Sequence, residues 1–224
     1  VEFLLNKEQK IFFIEVNPRI QVEHTITEEL ARVDLVRAQI NIFSGLKLKD
    51  LKLETAFKLG NRASIQARIN MEEYDANNNL LPGLGIIQEY NIVSGPGLRF
   101  DGYGKVGYEN KGHYDSLLTK IIASSDFGIQ DAVKKLIFAL ERSIVKGIAT
   151  NKNLLINILK NENFFEANFD TSTLDKKLSE YLSSTKIENK SNLGLKNIQN
   201  QKVSQKIEPI KNDNNKFIVK SNLI

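Results

Sequence analysis

The sequence predicts an α+β protein, and three observations carry that reading. Ala63, Ile65, Ala67 and Ile69 alternate with Ser64, Gln66, Arg68 and Asn70, the period of a strand with one buried face. Ala132, Val133, Leu136, Ile137, Leu140 and Ile144 recur at helical spacing. Strand and helix signals are mixed in order along the chain.

From the first residue onward, 1–5 and 10–23 read as two strands joined by the polar turn Asn6-Lys7-Glu8-Gln9. Thr25-Ile-Thr-Glu28 offers a capping box for a short helix from Thr27 to Arg32. Asp34 is expected to cap a second helix, with Leu35, Val36, Ile40 and Phe43 on one face and Gly45 at its end. Residues 46–62 are polar and irregular. Strands are expected at 63–70, 86–90 and 98–100, between glycine-rich turns, and again at 116–123. The clearest helix runs from Asp131 to Lys146 and stops at Gly147. Two more cover 151–160 and 173–182. After about Ser183, Lys, Asn, Ser and Gln dominate and apolar periodicity is lost, so 183–215 is expected to be a flexible linker. Residues 216–224 turn apolar again, as the first strand of a further domain would.

Composition narrows the function classes. With 224 residues, 41% hydrophobic and 26% charged, the chain can bury a real core. It has no cysteine, which excludes disulfides, thiolate metal sites and a cysteine nucleophile. Its two histidines, His24 and His113, are too few for a histidine metal cluster. No apolar run approaches the roughly 18 residues of a membrane span, so no membrane partner is expected. The expected compartment is reducing and cytoplasmic. The net charge of +4 is carried by the tail, because 179–224 hold eight Lys against four acidic residues. The rest is balanced and shows no Arg/Lys cluster interleaved with aromatics, so no nucleic-acid partner is expected. The chain begins with Val1, and its only methionine is Met71. The expectation is therefore a stretch preceded by an N-terminal part.

The densest chemical pattern lies in Phe12-Phe-Ile-Glu-Val-Asn-Pro-Arg-Ile-Gln-Val-Glu-His24. Glu15, Asn17, Arg19, Gln21 and Glu23 alternate with apolar residues, so an extended chain puts all five on one side. That pattern also suits a strand with a merely solvated face. The residue types say more. Glu15 and Asn17 are hard oxygen donors suited to Mg²⁺, Arg19 is a planar fork for a small oxyanion, and Glu23 is a potential proton acceptor.

The string Glu-Val-Asn-Pro-Arg-Ile-Gln-Val-Glu-His-Thr-Ile-Thr-Glu-Glu resembles the biotin carboxylase family of ATP-grasp enzymes. Val33-Asp-Leu-Val-Arg-Ala-Gln39, Ser64-Ile-Gln-Ala-Arg-Ile-Asn70, Gly95-Pro-Gly-Leu-Arg99, Tyr114-Asp-Ser-Leu-Leu-Thr-Lys120 and Ile144-Val-Lys-Gly-Ile-Ala-Thr-Asn151 follow in the family's order. The resemblance covers roughly residues 1–178. It implies the C-terminal part of an ATP-grasp domain over 1–60 and the mixed sheet-and-helix biotin carboxylase C-terminal domain over 61–182. The linker 183–215 would then lead to the start of a biotinyl carrier domain at 216–224.

The resemblance also implies roles. Glu2, Glu15 and Asn17 match metal ligands for Mg²⁺ or Mn²⁺, and Leu4 matches a residue that touches the adenine of ATP. Arg19, Gln21, Val22 and Glu23 match the bicarbonate site, with Glu23 as base. Arg99 matches the arginine that stabilises the enolate of the biotin ureido ring. The implied reaction is ATP- and bicarbonate-dependent carboxylation of biotin through carboxyphosphate. The implied partners are a biotin carboxyl carrier domain or protein, a carboxyltransferase and a second copy in a homodimer. The family's glycine-rich lid and phosphate-binding lysines lie upstream, so this stretch alone is expected to be inactive. His113, the turn Leu81-Pro-Gly-Leu-Gly85 and Thr171 depart from the family pattern. The alternatives are another ATP-grasp ligase, such as a carbamoyl-phosphate-synthetase-like domain, and a non-catalytic assembly module.

Overall fold

A three-stranded antiparallel sheet organises the protein. The computed structural model describes residues 1–53, 59–165 and 170–183. The sheet has β3 (Ala63–Asn70) and β8 (Leu98–Gly102) on either side of β10 (Leu117–Ser125). The alternation along β3 is the one its sequence predicts. Ile65, Ala67 and Ile69 are buried on one face, together with Ile121 and Ala123 of β10. Against them lies α3 (Ile129–Arg142), through Ala132, Val133, Leu136, Ala139 and Leu140. Ile156 and Leu159 of α4 (Lys152–Lys160) close the same core.

The opposite face of the sheet is polar, and α1 (His24–Ala31) lies across it. Thr25 Oγ1 donates to Gln66 Oε1 at 2.5 Å, and Glu28 receives Arg99. These bonds explain why the helix differs from expectation. It starts at His24 rather than Thr27, and Glu23, in the N-cap position, caps with no side-chain bond. The expected capping-box pair is used elsewhere. Thr25 and Glu28 are both buried, and they bond across to the sheet instead of to their own helix end. By contrast, α2 (Leu35–Phe43) is capped as predicted, with Arg37 N–H donating to Asp34 Oδ1 at 2.8 Å. Its apolar face is not buried among the described residues: Ile40 and Phe43 are exposed. A short 3₁₀ turn, Leu48–Leu51, follows within the stretch expected to be irregular.

Small strands complete the structure. The N-terminal hairpin pairs β1 (Glu2–Leu5) with β2 (Ile11–Glu15). A second hairpin, β4 (Glu72–Tyr74) with β5 (Leu80–Pro82), was not expected. Residues 86–90 are not one strand. β6 (Gly85–Ile86) pairs with β9 (Glu109–Asn110), and β7 (Glu89–Asn91) pairs with β11 (Ile144–Lys146). The last of these corrects the helix expected to run to Lys146. The helix ends at Arg142, and Ser143 is extended at φ −74° and ψ 139°. The β-branched pair Ile144-Val145 then finds a partner strand, which local periodicity cannot foresee. Gly147 follows at φ +89°, where any Cβ would collide with the Ile86 carbonyl. A one-turn helix α5 (Glu162–Phe165) and a helix α6 over 173–183 end the described chain. Beyond Ser183, the linker expected over 183–215 and the domain start expected at 216–224 lie outside the described residues. No helix among those described is long and apolar enough to cross a membrane.

Candidate functional site

Two groups of side chains come together, one at the hairpin and one on the polar face of the sheet. In the hairpin, the register Glu2↔Glu15 brings two carboxylates side by side. The chain then leaves the ladder, which corrects the expectation of a strand to residue 23. Pro18 has no N–H to donate, and Arg19 N–H donates back to the Asn17 carbonyl at 2.8 Å. The turn brings Asn17 and Gln21 back over the hairpin. Asn17 Nδ2 donates to Glu2 Oε1 and to Glu15 Oε1, each at 3.0 Å, and Gln21 Nε2 donates to Glu2 Oε1 at 2.7 Å. Arg19 donates to Asn17 Oδ1 at 3.5 Å and to the Ile20 carbonyl at 3.2 Å. Leu4 stands on β1 two residues from Glu2, about half exposed. Five of the nine expected residues are thus neighbours, gathered by a turn rather than by alternation, and Leu4 stands nearby on β1.

This group fits a hard cation. Two carboxylates set this close repel unless a hydrogen-bond donor or a cation stands between them. Here the neutral Asn17 amide bridges them, its nitrogen bonded to both carboxylates. The two carboxylates are donors that Mg²⁺ takes when phosphate and water supply the rest; the Asn17 amide turns its nitrogen to them and its oxygen to Arg19, so it would join the set with its oxygen only on turning over.

Glu23, Val22 and Arg99 belong to the second group. Glu23 does not join the hairpin cluster; Arg68 donates to its Oε2 at 2.8 Å. Val22 offers its backbone, since its carbonyl accepts from Lys120 Nζ at 2.7 Å. Arg99 is held on two sides. Its Nε and one terminal nitrogen donate to the two oxygens of Asp101, both at 3.0 Å, and the other donates to Glu28 Oε2 at 2.8 Å. Glu28 is only 7% exposed, and its second oxygen accepts the Leu35 N–H at 2.7 Å. A planar fork held this way keeps a fixed direction.

The electrostatics follow from these contacts. Hydrogen bonds from Arg99 hold the Asp101 carboxyl below the usual carboxylate range against its partial burial. The bonds to Asp101 and Glu28 push the Arg99 guanidinium further above its ordinary value. A carboxyl with a lowered folded pKa stabilises the fold above its unfolded value, about 3.9, and loses that contribution as pH falls through the folded value. Asp101→Asn is therefore expected to lower stability at pH 5–8. In denaturant titrations, its gap from the parent should narrow in acid. A gap that stays constant with pH would mean that the Asp101 charge contributes nothing to the clamp.

Nothing in the sequence alone assigns Glu28, Arg68, Asp101 or Lys120 to the site. Arg68 and Lys120 sit inside the motifs Ser64–Asn70 and Tyr114–Lys120. Asp101 carried a weaker signal, an acid two residues after Arg99 on a strand and so on the same face. Glu28 carries the signal of a capping residue, which hides its tertiary role.

Comparison with known proteins places these features in a wider context. Residues 66–176 match the family model of the biotin carboxylase C-terminal domain. Residues 1–51 match that of the carbamoyl-phosphate synthase L chain, ATP binding domain. Pyruvate carboxylase 1 of Caenorhabditis elegans is 40% identical over 176 residues, covering 78% of this chain and 15% of the relative. The 2-oxoglutarate carboxylase small subunit of Hydrogenobacter thermophilus is 37% identical over 175 residues, covering 78% of this chain and 36% of the relative. Among solved structures, the biotin carboxylase domain of a single-chain bacterial carboxylase aligns with a TM-score of 0.72 at 31% identity, over 81% of this chain and 41% of that one. The Hydrogenobacter thermophilus biotin carboxylase domain dimer, solved with MgADP, ADP and bicarbonate, aligns with a TM-score of 0.70 at 34% identity, over 80% and 38%. The chain thus spans well under half the length of each of these relatives.

Proposed function

Because the chain belongs to the biotin carboxylase family, we propose that it serves ATP- and bicarbonate-dependent carboxylation of biotin presented on a carrier domain. The domain reading goes with this: the end of an ATP-grasp domain over 1–60 and the biotin carboxylase C-terminal domain over 61–182. The observation that carries it is the joining of two chemistries in one short span. A hard-oxygen group (Glu2, Glu15, Asn17) is linked by one turn to Val22 and Glu23, which bond to the same sheet face as Arg99.

In this reading Glu2, Glu15 and Asn17 hold Mg²⁺ or Mn²⁺, which when bound screens phosphate charge. Leu4 lies against the adenine. Arg19 and Gln21 bind bicarbonate together with the Val22 backbone, and Glu23 accepts its proton. Arg99 supplies fixed positive charge where negative charge develops on the acceptor, and a preorganised donor there needs no reorganisation during reaction. The proposed partners are a biotin carboxyl carrier domain, a carboxyltransferase and a second copy of the chain. The relatives include proteins named as mitochondrial; for this chain the cytoplasm remains our reading.

The test is made on the full-length protein carrying this chain. Phosphate release from Mg-ATP is expected to depend on bicarbonate, and labelled carbon from bicarbonate should appear on biotin. Phosphate release that needs an amine source, with no label on biotin, would favour a carbamoyl-phosphate-type ligase instead.

A further inference from the structure

Lys120 is a charged residue at the centre of the middle strand, with its side chain only 9% exposed. Burying an ammonium is costly unless partners compensate, and an apolar residue would fill this place without that cost. Burial pulls the lysine below its ordinary range, with Asp101 opposing. Its partners explain its presence. Nζ donates to the Val22 carbonyl at 2.7 Å and lies 3.9 Å from Asp101 Oδ2. Across the strands, Lys120 stands opposite Arg68 on β3 and Asp101 on β8. Arg68 holds Glu23, and Asp101 holds Arg99. One row of the sheet therefore reaches the loop that carries the base and the strand that carries the guanidinium.

We propose that Lys120 is a positioning residue that couples the two halves of the site, setting the backbone at Val22 and the register of the Arg99–Asp101 pair together. The inference rests on the carboxylase reading for its kinetic consequences. Its structural content, a tie between β10 and residues 20–24, stands apart from that reading.

The experiment uses Lys120→Met in the full-length protein. Methionine keeps an unbranched stem and removes the charge. The KM for bicarbonate is expected to rise about tenfold and the rate of biotin carboxylation to fall about 10–100-fold, the size of a sub-ångström to 1 Å misplacement of reacting groups. The KM for ATP should stay within about twofold, because the hairpin group is untouched. Hydrogen exchange should show lost protection for amides in 20–24 while β3 and β10 keep theirs. Unchanged bicarbonate kinetics, or equal losses for every substrate together with lost sheet protection, would overturn the proposal. If Lys120→Met does not fold, Lys120→Gln, which keeps a donor on a shorter stem, should show the same split at smaller size. A parent protein without bicarbonate-dependent ATP cleavage would sink the carboxylase reading instead, and the exchange at 20–24 would still decide the tie.

Discussion

Replacing Glu23 by glutamine in the full-length protein is expected to slow bicarbonate-dependent ATP cleavage by about 10²–10⁴-fold, the usual contribution of a positioned general base. The variant removes the ability to accept a proton, together with the charge that pairs with Arg68. Glutamine keeps the shape and still offers a carbonyl oxygen to Arg68, which bonds Glu23 at 2.8 Å in the native arrangement. The proposed metal-binding group lies elsewhere, on Glu2, Glu15 and Asn17, with its own internal bonds. ATP affinity should therefore hold, and the loss should fall on kcat. Near-normal turnover by Glu23→Gln would remove this residue from the mechanism. The Glu23–Arg68 pair would then be a surface link between α1 and the sheet.

Arg99→Met should have the second-largest effect, and a different signature. Transfer to biotin is expected to fall by about 10²–10³-fold, as when one preorganised charge-stabilising donor is lost. Bicarbonate-dependent ATP cleavage without biotin should change little, because the guanidinium bonds to Asp101 and Glu28 rather than to the residues of the hairpin. Arg99→Lys should rescue poorly, since an ammonium cannot reproduce the two-pronged bond to Asp101. Thermal unfolding has to be followed in parallel, because Glu28, 7% exposed, loses a charged partner in the methionine variant. If biotin carboxylation and ATP cleavage fall by the same factor, Arg99 is not specific to the transfer step.

Much of the site was legible because its residues are close in sequence. Glu15, Asn17, Arg19, Gln21 and Glu23 were singled out from one short string, and Glu2 from the strand before it. Alternation along one strand accounts for only part of their meeting. Alternation required a strand to residue 23, whereas β2 ends at Glu15, opposite Glu2, and Pro18 lies in the turn that follows. The turn that follows gathers Asn17 and Gln21 onto Glu2 and sends Glu23 to Arg68 on a different strand. A proline in a strand-like pattern was the available warning. Arg99 was found through its motif, but its holders were not. Asp101 is two residues away and Glu28 is 71 away in the chain, and only the second needs the fold to bring it near.

The sequence by itself determined the local structure: the alternation of β3, the Asp34 cap of α2, the apolar stripe of α3 and the motif order that marks the family. Each of these depends on consecutive residues, whose spacing and capping chemistry act over one or two turns or a few pleats. Tertiary structure alone decided where α1 begins, why Ile144 and Val145 form a strand, and which side chains share a row of the sheet. Those outcomes depend on partners far away in the chain. Thr25 and Glu28 left their helix end for the sheet, β11 formed because β7 was there to pair with it, and Lys120 acquired its partners only once β3, β10 and β8 had aligned. Register fixes such contacts, because each residue of a strand meets whatever the neighbouring strand places opposite it, and that placement is not written in either strand alone.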